Sequence, residues 1–98
     1  MKAIEIKRIA YAFGANDFVE GVVWAVPNPD HPSEHTYKYR LVYIVDGKRV
    51  LGFDNERGKG DHRHDGANEA AYAFLGIDQL LEDFASAVEE WRLANGKA

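Results

Sequence analysis

Eleven consecutive residues, Asp54-Asn55-Glu56-Arg57-Gly58-Lys59-Gly60-Asp61-His62-Arg63-His64, hold three carboxylates, three permanent cations and two imidazoles. Histidine is the side chain that changes charge near neutrality, so His62 and His64 are the candidate general acid and base, with Glu56 as a third acid–base group. Arginine offers paired N–H donors to phosphate oxygens, which makes Arg57 and Arg63, together with Lys59, candidate phosphate ligands. Gly58 and Gly60 let backbone come close to a ligand, and Asp54, Asn55 and Asp61 are read as structural support for the set. These are the parts of metal-independent RNA cleavage: a base for a 2′-hydroxyl, a cation for the developing phosphorane charge and an acid for the leaving oxygen.

The same residues admit other readings. His62-x-His64 with Asp61 and Asp54 has donor types that suit Zn, Ni or Mn, and so a metal-dependent hydrolase. No second spaced histidine pair accompanies it, because His31 and His35 lie in a separate proline-rich segment; the expected set therefore contains no metal and no cofactor. A block that engages a protein or a nucleic acid without chemistry is an alternative, and a salt-bridged surface loop is the plainest one. A second constellation, Tyr37-Lys38-Tyr39-Arg40, places two aromatics on one strand face and two cations on the other. Lys38 and Arg40 are expected to border the same cleft and extend its phosphate-binding surface.

The elements that must hold these residues follow from periodicity and turn chemistry. Met1–Phe13 alternates, with a change of apolar phase that predicts a bulge near Lys7-Arg8. Phe18–Val26 is apolar on both phases, as a central strand would be. Residues 27–33 contain all three prolines and form a loop. Thr36–Val45 and Lys48–Phe53 are strands joined by Asp46-Gly47, a pair that tolerates the positive φ of a type I′ turn. Asp54–Gly66 reads as a loop and Asn68–Phe74 as a short helix. Ile77–Ala94 is an amphipathic helix with Ile77, Leu80, Leu81, Phe84, Val88 and Trp91 on one stripe, and Trp24 and Trp91 are expected to join sheet to helix. The order predicts an α+β fold: a four-stranded antiparallel meander, a short helix, and a long C-terminal helix packed on one face, all in one domain over 1–98.

Composition bounds the function classes. The chain has 98 residues, 46% of them hydrophobic and 29% charged, which suits one ordinary globular domain. With no cysteine, thiolate metal sites, disulfides and a Cys nucleophile are excluded. No apolar run approaches the roughly 18 residues of a membrane span, so a cytoplasmic location is expected. The net charge of −4 arises wholly in residues 66–98, with two Lys/Arg against six Asp/Glu; residues 36–64 carry seven against four. That asymmetry permits a polyanion on one face.

Four segments taken together carry a resemblance: Tyr37–Tyr43, Asp46–Val50, the Phe53–His64 block, and Leu80-Leu81 with Asp83-Phe84 in the last helix. With Val23-Trp24-Ala25-Val26-Pro27 before them, they resemble the TumE family, small proteins of toxin–antitoxin loci. The likeness covers nearly the whole chain, apart from its first dozen residues. It implies a growth-inhibiting toxin made beside a helix-turn-helix antitoxin that neutralises it and represses the operon. It carries over no catalytic residues, so the roles given above rest on chemistry alone. RNA and a second copy of the chain are further candidate partners, and no membrane partner is expected, given the lack of an apolar span.

Overall fold

The computed structural model describes residues 3–26, 36–56 and 60–97, with Glu56 described by its backbone only. Six strands form one antiparallel sheet in sequence order: β1 (Ile4–Ala12), β2 (Asp17–Ala25), β3 (Tyr37–Val45), β4 (Lys48–Glu56), β5 (Gly60–Asp65) and β6 (Asn68–Ala71). One helix, α1 (Ile77–Ala94), follows. The α+β class and the C-terminal helix are as expected, but the meander has six strands rather than four. The stretch expected to be a loop after Phe53 is the end of β4 and the whole of β5. The short helix expected at Asn68–Phe74 is instead β6 and an extended segment. Seven residues are too few to hold a helix by propensity, whereas pairing with β5 satisfies the backbone of Asn68–Ala71.

The turns show why the chain folds back each time. Asp46 and Gly47 take φ of 51° and 78°, the left-handed pair that a type I′ hairpin needs. Between β5 and β6, Gly66 at the first central position takes φ 60°, as a II′ turn requires. Two bulges set the faces. In β1 the register skips Ile6, between Glu5 and Lys7 and one residue before the expected place. In β4 it skips Val50, since Tyr43 pairs Leu51 while Ile44 pairs Arg49. The proline segment and its His31 and His35 lie outside the described residues.

The core lies between one face of the sheet and α1. Val19, Val23, Tyr39, Leu41, Tyr43, Leu51 and Phe53 meet Leu80, Phe84, Ala87 and Val88 there. Trp91 joins the two layers through an edge contact with Tyr43 at 5.5 Å between ring centroids. Trp24 does not: it alternates with buried Val23 and so lies on the other face. Asp17 fixes the helix end to the sheet. It accepts hydrogen bonds from Tyr43 Oη at 2.7 Å and from Arg92, whose guanidinium also covers the Phe13 ring at 4.1 Å. Burial first, and the Asp17 contact second, push the Tyr43 hydroxyl up and keep it a donor.

Candidate functional site

Strand pairing divides the ionisable block between the two faces of the sheet. Phe53 and Asn55 point into the core, so Asp54 points outward. Asp54 stands opposite Arg40 on β3 and His62 on β5, while Gly52 stands opposite Val42 and His64. His64 in turn stands opposite Glu69 of β6. Arg40, Asp54, His62, His64 and Glu69 therefore share the outer face, away from α1. Lys38, two residues from Arg40, lies on it too.

Side chains there converge. His64 Nε2 lies 3.3 Å from Asp54 Oδ1 and 3.9 Å from Glu69 Oε1; His62 Nδ1 lies 3.5 Å from the same Glu69 oxygen. The side chains of Asp54 and His64 are each 14% exposed and that of Glu69 is 37% exposed, so the cluster is shielded at Asp54 and open toward β6. Partial burial strengthens these charge interactions relative to water. A carboxylate only accepts, so in the contact with Asp54 the donor is His64 Nε2.

Arg49 completes the arrangement. A Cβ placed on Gly52 would meet Arg49 Cδ at 3.1 Å and Nε at 3.5 Å, so this arginine runs over Gly52 beside His64. Arg8, Arg63 and Arg92 are held by Glu5, Asp65 and Asp17 respectively. Among the described arginines, Arg40 and Arg49 alone have no carboxylate within ion-pair distance. Lys38 Nζ donates to the Asn55 carbonyl at 2.8 Å.

The remaining residues of the block do other work. Asn55, 1% exposed, extends the β3–β4 ladder with its side chain: Oδ1 accepts from Tyr39 N at 2.9 Å and Nδ2 donates to Tyr37 O at 2.7 Å. Asp61 and Arg63 point to the helix side. Tyr39 Oη donates to Asp61 at 2.7 Å, and burial followed by that carboxylate pushes the hydroxyl well up. Arg63 sits over the Phe53 ring at 5.3 Å, with Asp65 on its guanidinium. Gly60 takes φ 79° and pairs with Glu56 where β5 begins. Arg57, Gly58, Lys59 and the Glu56 side chain lie outside the described residues. No three His, Asp or Glu side chains among the described residues are set to hold a metal ion. Glu69 and Arg49 are the two residues that periodicity did not reveal.

The chain is thus a small α+β protein with a helix packed on one face of its sheet and a histidine–carboxylate–arginine cluster on the other. Its family is given by comparison. The model of the toxin TumE family matches residues 2–92, and the chain belongs to that family. No curated protein and no solved structure matches it. No helix among the described residues is long and apolar enough to cross a membrane. Membership in a toxin family points to an antitoxin as partner.

Proposed function

We propose that this toxin acts on RNA in the cytoplasm, cleaving it on the outer face of the sheet without a metal ion. The observation that carries this reading is the shared carboxylate geometry: two imidazoles 3.5 Å and 3.9 Å from one Glu69 oxygen, on the face that holds the two arginines without ion pairs. His64 Nδ1 takes the proton of a 2′-hydroxyl, whose oxygen attacks the adjacent phosphorus. The P–O5′ bond breaks, and His62 gives a proton to the departing oxygen. The products are a 2′,3′-cyclic phosphate and a 5′-hydroxyl. Arg40 and Arg49 hold the equatorial oxygens as charge builds on them, and Lys38 extends the cationic surface toward the flanking strand. Asp54 and Glu69 orient the imidazoles. The family supports a type II toxin–antitoxin pair, with a helix-turn-helix antitoxin as the expected neutraliser.

The test uses the purified chain, a labelled single-stranded RNA and excess EDTA. Cleavage with the stated ends is expected in EDTA. Each arginine that neutralises a phosphate adds roughly 0.7 to the salt slope of binding to a single strand, so Arg40→Ala with Arg49→Ala should lower that slope by about 1.4. An unchanged slope removes the two arginines from the site. Loss of cleavage in EDTA with recovery on adding Mn favours the metal-dependent hydrolase.

A further inference from the structure

The inner face of the sheet is six strands wide but carries one helix. Strands lie about 4.8 Å apart and a helix with its side chains covers about 10–12 Å, so one helix leaves roughly half of such a sheet bare. α1 lies over the middle strands, with Phe84 against Phe53 at 5.9 Å between ring centroids. Toward β6 the segment before the helix supplies cover: Phe74 stacks on Tyr39 at 5.6 Å and Tyr72 meets Phe53 edge-on at 5.1 Å. Val19 and Val23 of β2 are buried against the helix, but over β1 no described residue takes that place. A groove of about 630 Å³ runs there, walled by Ile9 and Tyr11 of β1, by Phe13 just after it, and by Leu81, Val88 and Leu93 of α1. Tyr11 and Leu93 are 61% and 62% exposed.

We propose that this groove receives an amphipathic α-helix with acidic residues at one end, supplied by the protein that neutralises this toxin. Membership in a toxin family points to an antitoxin, and the proposal rests on the type II reading, in which it is a protein, but not on the RNA reading. Four features of the groove select a helix of this kind. From Leu81 to Leu93 the wall runs about 18 Å at 1.5 Å per residue, three turns of a partner helix lying beside α1. Addition of a strand to β1 is opposed by its skipped residue at Ile6 and by the neighbouring Lys7 and Arg8, which guard an open edge. The aromatic and leucine walls suit an apolar stripe at helical spacing. The charged lining is Arg92, Lys97 and Glu89, with Lys97 lying past the end of α1 and Glu89 two turns back along it. Because Asp17 already holds Arg92, the Lys97 ammonium is the group that meets a partner carboxylate.

The complex of the full chain with its co-expressed antitoxin tests this, with affinities read by calorimetry. Tyr11→Asp and Leu93→Asp should each weaken the complex at least tenfold and escape neutralisation in cells, with unchanged melting and undiminished toxicity. Lys97→Glu should weaken it about threefold. Binding within twofold of wild type for both aspartate variants overturns the proposal. So does sedimentation of the chain alone as a dimer that Leu93→Asp dissociates, since the groove would then belong to a second copy. Loss of binding in Arg40→Glu with none in the groove variants would place the antitoxin on the opposite face, and also overturns it.

Discussion

His64→Ala is expected to lower RNA turnover by about 10²–10⁴, the usual worth of a positioned acid or base. His64 is the imidazole with two carboxylates in reach, at 3.3 Å and 3.9 Å, and the one opposite Gly52, over which Arg49 runs. His62→Ala should have an effect of the same order, because removing either half of the proton relay stops the step. Arg63→Ala is the sharp contrast. It lies between the two histidines in sequence, yet its side chain packs on Phe53 on the helix side, so turnover should stay within about threefold of wild type. Measured rates for the three variants, each shown by circular dichroism to be folded, check this. Equal losses in all three would mean that the block acts as a flexible whole and not as a strand with two faces.

The largest expected loss of stability is at Asp17. Asp17→Ala leaves Tyr43 Oη and the Arg92 guanidinium without the carboxylate that holds both, at a residue only 6% exposed. Removing one partner of such a network costs about 3 kcal/mol, which in a domain of this size is a fall in melting temperature of roughly 10–20 °C. Urea denaturation should show a lower midpoint with an unchanged slope, because the surface exposed on unfolding is the same. Tyr43→Phe keeps the Asp17–Arg92 pair and the ring packing, and should cost about 1 kcal/mol. A loss below 1 kcal/mol for Asp17→Ala would contradict the role given to this contact.

Much of the frame is legible in the sequence. The stripe from Ile77 to Trp91 marks a helix because its apolar residues recur at helical spacing over four turns. Asp46-Gly47 marks a hairpin because few other pairs tolerate two positive φ angles. β5 escaped that kind of reading because Gly60–Asp65 contains no apolar residue to alternate. Its inward positions are Asp61 and Arg63, made compatible with the core by the Tyr39 hydroxyl and the Phe53 ring. β6 escaped because Asn68-Glu69-Ala70-Ala71 has helical propensity, and only pairing with β5 overrides it.

The candidate site shows the same division. His62 and His64, the expected acid–base pair, share one face with Asp54, expected to support them, while the side chain of Glu56, the third acid–base candidate, lies outside the described residues. Arg63 and Asp61, their neighbours in sequence, face the other way because successive strand residues alternate. Glu69 belonged to a segment read as helix, so nothing placed it opposite His64. Arg49 shares its phase with Leu51 and Phe53 and would point to the core in a regular strand. The skipped Val50 reverses it, and a single-residue bulge leaves no clear mark in composition.

Cleavage of RNA by the outer-face histidines is read out in cells by inducing wild type, His62→Ala and His64→Ala and following RNA integrity over time. RNA fragmentation that precedes growth arrest in the wild type, with intact RNA and continued growth in both variants, is the predicted result. Growth arrest with intact RNA, or fragmentation that persists in both variants, would contradict it.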